Sequence, residues 1–81
     1  MIALTIYSRP GCHLCDEMKT LVAQVVEESP MPVRLDEINV ETEPRLEALY
    51  GAEIPVLLVN GKKAAKYRVT RTELLRILRA R

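Results

Sequence analysis

The 81-residue sequence contains no tryptophan, no phenylalanine and only three tyrosines. A core must therefore be built from leucine, isoleucine, valine and methionine. No apolar run approaches the ~20 residues that cross a bilayer, which argues against a membrane protein or a membrane partner. The first residues alternate like a strand and lack a basic segment, so they do not resemble a signal peptide. We expect a cytoplasmic protein.

Cysteine is equally scarce, since the chain holds only Cys12 and Cys15. In a cytoplasmic protein such a pair is more often catalytic or metal-binding than a structural staple. A disulfide that closes so short a loop would also remove little chain entropy. The length allows one small domain, which we expect to span residues 1–81.

The net charge of +1 hides an uneven distribution of charge. From position 60 onward there are eight Lys or Arg residues and one acidic residue, Glu73, whereas positions 1–59 carry four basic and ten acidic residues. No interleaved aromatic residues or recognition motif accompany the basic residues. We therefore expect a solvated basic face and no nucleic-acid partner.

Apolar periodicity and turn signals predict the element order β-α-β-α-β-β-α. In chain order, the prediction places a strand around Ile2, Leu4 and Ile6, a helix from Cys12 to Ser29, a strand over Val33–Asn39, a short helix from Pro44 to Gly51, a strand over Val56–Val59, a hairpin turn at Asn60-Gly61, a strand around Lys63–Tyr67 and a final helix capped by Thr70 and Glu73. A βαβ start and a hairpin finish predict an α/β fold with a four-stranded mixed sheet flanked by helices.

The motif Cys12-His13-Leu14-Cys15 is the strongest chemical signal. It follows a strand and a Pro-Gly turn and begins a helix, whose free N–H groups and dipole favour a thiolate. Cys12 is therefore the expected attacking thiolate, and Cys15, one turn further on the buried stripe, is expected to resolve a mixed disulfide. The alternative is that both cysteines pack in the core as small hydrophobic residues. This alternative explains Cys15 better than Cys12.

His13 admits two interpretations, which the sequence leaves open. A protonated imidazole beside Cys12 would favour the thiolate further, or the side chain would face solvent with little influence. A metal or iron–sulfur carrier is the alternative function, but Cys12 and His13 are awkwardly adjacent, and no further Cys or His completes four ligands. Such a site would need a second chain or an external thiol. We expect no metal residues, no bound cofactor and a monomer.

Ile54-Pro55, directly before an apolar strand, is the second landmark. A cis peptide bond there would leave the Ile54 backbone free to pair with an extended substrate, whereas a trans proline would simply end the loop. The residue spacing does not distinguish the cis bond from the trans bond. Tyr67 either lines the groove beside Pro55 or covers the core at a strand end, and we favour the core.

The segments 7–15 and 54–61, together with the element order, resemble a glutaredoxin-like protein of the thioredoxin superfamily over essentially the whole chain. The small C-H-L-C proteins of that group are the most similar in motif. The resemblance implies a thioredoxin-like fold and a thiol-disulfide oxidoreductase with Cys12 and Cys15 as catalytic residues. It also implies that Pro55 is cis and packs against the cysteine pair, and that Arg9 lies near a glutathione carboxylate.

Two departures from the family pattern bear on the partner. His13-Leu14 stands where glutaredoxins usually carry Pro-Tyr or Pro-Phe. Ala64-Ala65-Lys66-Tyr67-Arg68 stands where they carry Gly-Gly and then an Asp that hold the glutamyl end of glutathione. We expect the substrate to be a disulfide-containing protein or a small thiol. The reductant would be a partner protein or a small thiol, and glutathione as a diffusible reductant is an open choice that this pattern does not support.

Overall fold

The computed structural model describes residues 1–80, which form four strands, three α-helices and one short 3-10 helix. In chain order these are β1 (Ile2–Ser8), α1 (His13–Glu28), β2 (Val33–Asn39), the 3-10 helix (Val40–Thr42), α2 (Pro44–Tyr50), β3 (Val56–Val59), β4 (Lys62–Lys66) and α3 (Arg71–Arg79). The predicted order of strands and α-helices is confirmed. The 3-10 helix is an addition to that order, and β4 ends one residue before Tyr67.

The strands form one mixed sheet in the order β2-β1-β3-β4. β1 pairs with β2 in parallel, so α1 serves as the crossover between them. β3 runs antiparallel to both β1 and β4, with Leu57 opposite Ile6. The four-stranded mixed sheet that the sequence predicts is therefore confirmed.

The core is aliphatic, as the lack of tryptophan and phenylalanine requires. It lies between the sheet and the two longer helices, because β1, α1, β3 and α3 each present a buried stripe. The clustered side chains are Ile2, Leu4, Ile6, Met18, Val22, Val25, Leu57, Val59, Leu74 and Leu78. No helix within residues 1–80 is long and apolar enough to cross a membrane.

Two short-range signals place the C-terminal elements. Asn60 and Gly61 both adopt positive φ, 51° and 84°, as a two-residue hairpin turn requires. The Thr70 hydroxyl accepts from the Glu73 N–H at 3.1 Å, and Glu73 Oε1 accepts from the Thr70 N–H at 3.0 Å. These hydrogen bonds hold the pKa of Glu73 below its usual value and begin α3 in a capping box.

Candidate functional site

Cys12 and Cys15 lie together at the N-terminus of α1. Cys12 is the N-cap, with extended backbone, and its Sγ accepts a hydrogen bond from the Cys15 N–H at 3.1 Å. A disulfide joins the two residues, whose Cα atoms are 5.2 Å apart. Cys12 is half-buried, whereas only 1% of Cys15 is exposed. Solvent therefore reaches the pair from the Cys12 side.

The helix terminus supplies the electrostatics of this pair. The first N–H groups of α1 lack partners within the helix, and one of them, that of Cys15, points at Cys12 Sγ. In the reduced protein the same N–H group and the positive end of the helix dipole would favour a Cys12 thiolate. The site is thus arranged to hold negative charge on the more accessible sulfur.

The turn that leads into α1 is tied to β2. Ser8, at the end of β1, is buried and donates to Glu37 Oε2 at 3.1 Å. The other Glu37 oxygen accepts from Lys19 on α1 at 3.2 Å.

Gly11 has φ +77°, and a side chain at this position would meet no other atom within 4 Å. Backbone conformation alone therefore favours glycine there.

Arg9 lies on the other side of this turn, against the end of α2. Its guanidinium donates to Glu47 Oε1 at 2.6 Å and to the Gly51 carbonyl at 2.9 Å. A Cβ at position 51 would overlap the Glu47 side chain, so glycine allows the carboxylate to reach Arg9. The resemblance implies a glutathione carboxylate near Arg9, but its contacts here are with a carboxylate and a carbonyl of its own chain.

Pro55 lies at the same end of the sheet as the cysteine pair. The Ile54–Pro55 peptide bond is cis, Pro55 is fully buried and Ile54 is half-buried. Because Tyr7 is opposite Val56 in the β1–β3 pair, Pro55 is level with the point where β1 turns toward Cys12. The Pro55 carbonyl also accepts from the Tyr67 N–H at 2.8 Å, which brings a third segment to this edge.

A groove of about 300 Å³ runs between α1 and the segment that follows β4. Its lining residues are Leu14, Glu17, Met18 and Leu21 on α1, and Tyr67, Arg68, Val69 and Thr70 on the opposite wall. Tyr67 is 44% exposed and lines this groove, which is the first of the two roles that the sequence left open for it. Its hydroxyl lies 3.4 Å from the Ala52 carbonyl, in the loop before Pro55.

A family model described as a glutaredoxin-like domain (DUF836) matches residues 3–79. The chain belongs to this glutaredoxin-like family. A thioredoxin from Methanocaldococcus jannaschii is 30% identical over 61 residues, which make up 74% of this chain and 72% of that relative. The matched stretch supports a place in the thioredoxin superfamily.

Solved structures agree with this assignment. The X-ray structure of a structural genomics target from X. campestris superposes with a TM-score of 0.78 at 28% identity, covering 96% of this chain and 97% of the other. A solution structure of a Nitrosomonas europaea protein gives 0.75 at 27% identity, covering 94% and 89%. Chloroplastic thioredoxin z gives 0.79 at 16% identity, covering 99% and 77%, and shows the shared fold alone.

The remaining predicted site residue of this glutaredoxin-like domain, His13, lies on the outer surface of α1. Its side chain is 88% exposed, and Nε2 lies 3.2 Å from Glu17 Oε2, one turn along the helix. This i, i+4 pair is the geometry of a solvated helix face. The placement agrees better with the second interpretation of His13 than with a direct role beside Cys12.

Within residues 1–80, no three His, Cys, Asp or Glu side chains come together in a way that could hold a metal ion. The close Cys12–Cys15 pair fits a redox function, as does membership of the glutaredoxin-like family. The sequence interpretation missed the apolar wall formed by Leu14, Met18 and Leu21. Their i, i+4, i+7 spacing was the available signal, but the same spacing also describes a core-facing stripe.

Proposed function

We propose that this glutaredoxin-like domain is a thiol-disulfide oxidoreductase that works through Cys12 and Cys15. The observation that carries the proposal is the disulfide at the N-terminus of α1, with Cys12 half-buried and Cys15 almost fully buried. This difference in access suits an attacking sulfur and a resolving sulfur. Membership of a glutaredoxin-like family supports the same chemistry.

The reaction proceeds by two thiol–disulfide exchanges. The Cys12 thiolate attacks one sulfur of the substrate disulfide, a mixed disulfide forms, and the other substrate sulfur leaves as a thiolate that takes a proton from water. Cys15 then loses its proton and attacks Cys12 Sγ, which releases the second substrate thiolate. Two electrons pass from the protein to the substrate. The Cys12–Cys15 disulfide must then be reduced by an external dithiol or by two monothiols.

Serine variants of the two cysteines test this division of roles. We expect Cys12→Ser to reduce insulin disulfides no faster than dithiothreitol alone, because the attacking sulfur is absent. We expect Cys15→Ser to accumulate a mixed disulfide with the substrate, because nothing resolves it. Non-reducing gel electrophoresis and mass spectrometry would detect the adduct.

Met31→Ser is the control for introducing serine, because Met31 lies in the exposed loop after α1. It should retain the activity of the unsubstituted chain. Wild-type turnover in both cysteine variants would contradict the proposal, and an adduct on Cys15 in the Cys12→Ser protein would reverse the two roles.

We also propose that a partner protein or a small thiol other than glutathione supplies the electrons in the cytoplasm. Arg9 is paired with Glu47 of its own chain and is therefore not free to bind a glutathione carboxylate. The bulky Tyr67 lies near Pro55, in the segment where glutaredoxins usually carry Gly-Gly and an Asp that hold the glutamyl end of glutathione. Both observations support a reductant other than glutathione. Coupled assays with glutathione and glutathione reductase, or with thioredoxin and thioredoxin reductase, distinguish the sources. Faster NADPH oxidation with the glutathione system would overturn this part.

A further inference from the structure

The groove beside the cysteine pair has an apolar floor, and one of its walls has an unusual backbone conformation. Tyr67 adopts φ +66°, a left-handed conformation that a bulky residue rarely takes. Its N–H donates to the Pro55 carbonyl, so this conformation is held from the same loop that carries Ile54. Backbone of this kind persists where the surrounding structure imposes it and is concentrated at binding sites.

The result is an exposed aromatic side chain at the mouth of the groove. Glycine would adopt the same φ without strain, yet the chain carries a tyrosine whose ring remains 44% exposed. An exposed ring beside Leu14 contributes little to the core. It does provide an apolar surface on which a ligand side chain can pack.

The next residue, Arg68, gives this wall its charge. Within residues 1–80 no carboxylate forms an ion pair with Arg68. Glu17 lines the same groove, and its Oε2 lies 3.2 Å from His13 Nε2 one turn along α1, whereas Glu73 caps α3. An exposed guanidinium without a partner at the lip of a groove is suited to a carboxylate supplied by a ligand.

We propose that Tyr67 and Arg68 select polypeptide disulfides that carry an acidic side chain close to the reacting cysteine. The inference rests on the proposed function and deepens it by naming a substrate class. The peptide segment beside the cysteine lies in the groove, packs on Tyr67 and Leu14, and brings its Asp or Glu to Arg68. The positive charge of Arg68 at the edge of the groove favours an acidic peptide over a basic one.

Two matched sets of synthetic peptides test the proposal. Each peptide carries one cysteine as a mixed disulfide with 2-mercaptoethanol and differs only in having Asp or Lys at a position within three residues of it. We expect the reduced domain to favour the best Asp peptide over its Lys counterpart by roughly two- to fivefold in kcat/KM, the range of an exposed ion pair. Salt at about 1 M should remove the preference by screening.

Charge reversal provides the decisive comparison. Arg68→Glu should invert the Asp/Lys ratio, because the attraction and the repulsion exchange places. Lys62→Glu makes the same change in net charge at the opposite end of β4 and should leave the ratio unchanged. Far-ultraviolet circular dichroism would verify that both variants fold.

The outcomes separate this inference from the proposed function. If the wild-type domain fails to reduce the neutral hydroxyethyl disulfide, the proposed function itself is wrong. If it reduces that compound and every peptide without regard to charge, only the inference is overturned. An equal shift in the ratio for Lys62→Glu and Arg68→Glu would also overturn it, because long-range net charge would then explain the selectivity.

Discussion

Tyr67 shows how a single residue can depart from what its neighbours predict. The run from Lys63 to Tyr67 has the pattern of a strand, but the pairing with β3 ends at Lys66, and Tyr67 adopts a left-handed conformation. Nothing in its residue type signals this change, because glycine and asparagine are the residues that usually adopt such φ values. The conformation depends on the Pro55 carbonyl, a contact that only the folded sheet creates.

The backbone strain at Tyr67 makes a testable prediction about stability. We expect Tyr67→Gly to be more stable than Tyr67→Ala by about 1 kcal/mol, because only glycine relieves the left-handed conformation. Both variants lose the same ring, so their difference reports on the backbone. Urea unfolding followed by circular dichroism would measure the two free energies.

Lys66 provides the matched control, since it lies next to Tyr67, at the end of β4, where it pairs with Val56. There we expect the opposite order, with alanine more stable than glycine by about 0.5–1 kcal/mol. Alanine more stable than glycine at both positions would show that Tyr67 carries no strain.

At the scale of elements, the sequence predicts best where a local signal and burial agree. β3 is buried along its whole length, and its continuous apolar run makes it unambiguous. The hairpin and α3 are marked by Asn60-Gly61 and by the capping box at Thr70. β2 is the weakest prediction because it lies at the sheet edge and is only half-buried, so its polar and apolar residues mix.

The site is predictable to a lesser degree, because its parts meet only through the sheet. The cysteine motif can be found from its position before a helix, whereas the partner of Arg9 cannot. Glu47 lies on α2, which has no buried residues of its own. Tyr7 stacks on Tyr50 at 4.5 Å between ring centroids, and burial, followed by Tyr50 and Glu43, raises the pKa of Tyr7. These contacts fix α2 against the turn that precedes Cys12.

The Arg9–Glu47 pair predicts that the two side chains act as one unit. We expect Arg9→Ala and Glu47→Ala each to destabilise the domain by about 1 kcal/mol, a value already reduced because both groups are partly exposed. The double variant should be no worse than either single one, which corresponds to a coupling energy of about 1 kcal/mol. Chemical unfolding of the four proteins would measure this cycle.

Arg34→Ala serves as the control, because its pair with Asp36 is more exposed and joins residues of the same strand. It should change stability by less than about 0.5 kcal/mol. Additive effects of the Arg9 and Glu47 changes, together with a raised KM for glutathione in Arg9→Ala alone, would restore the ligand role that the resemblance implies.

At the scale of the whole molecule, the topology gathers the site at one end of the sheet. β1 ends and β3 begins there, α1 starts there, and the segment after β4 arrives beside Pro55. The hairpin at Asn60 lies at the other end, where its side chain accepts from the Ala3 N–H. The element order predicted from the sequence therefore indicates where the site lies, although it does not identify the residues that form its walls.

The number of potential metal ligands in the chain leads to a final prediction, which concerns the oligomeric state. The described residues hold no group of three potential metal ligands, and tetrahedral zinc or a cluster needs four, so a metal centre on Cys12 and Cys15 would require a second chain or an external thiol. We expect a monomer of 9.2 kDa by sedimentation equilibrium in both redox states. Anaerobic incubation with iron and sulfide should leave the reduced protein colourless after desalting. A dimer whose charge-transfer absorption disappears in Cys15→Ser would instead favour the metal carrier, because a metal centre shared between two chains would make both association and colour depend on this residue.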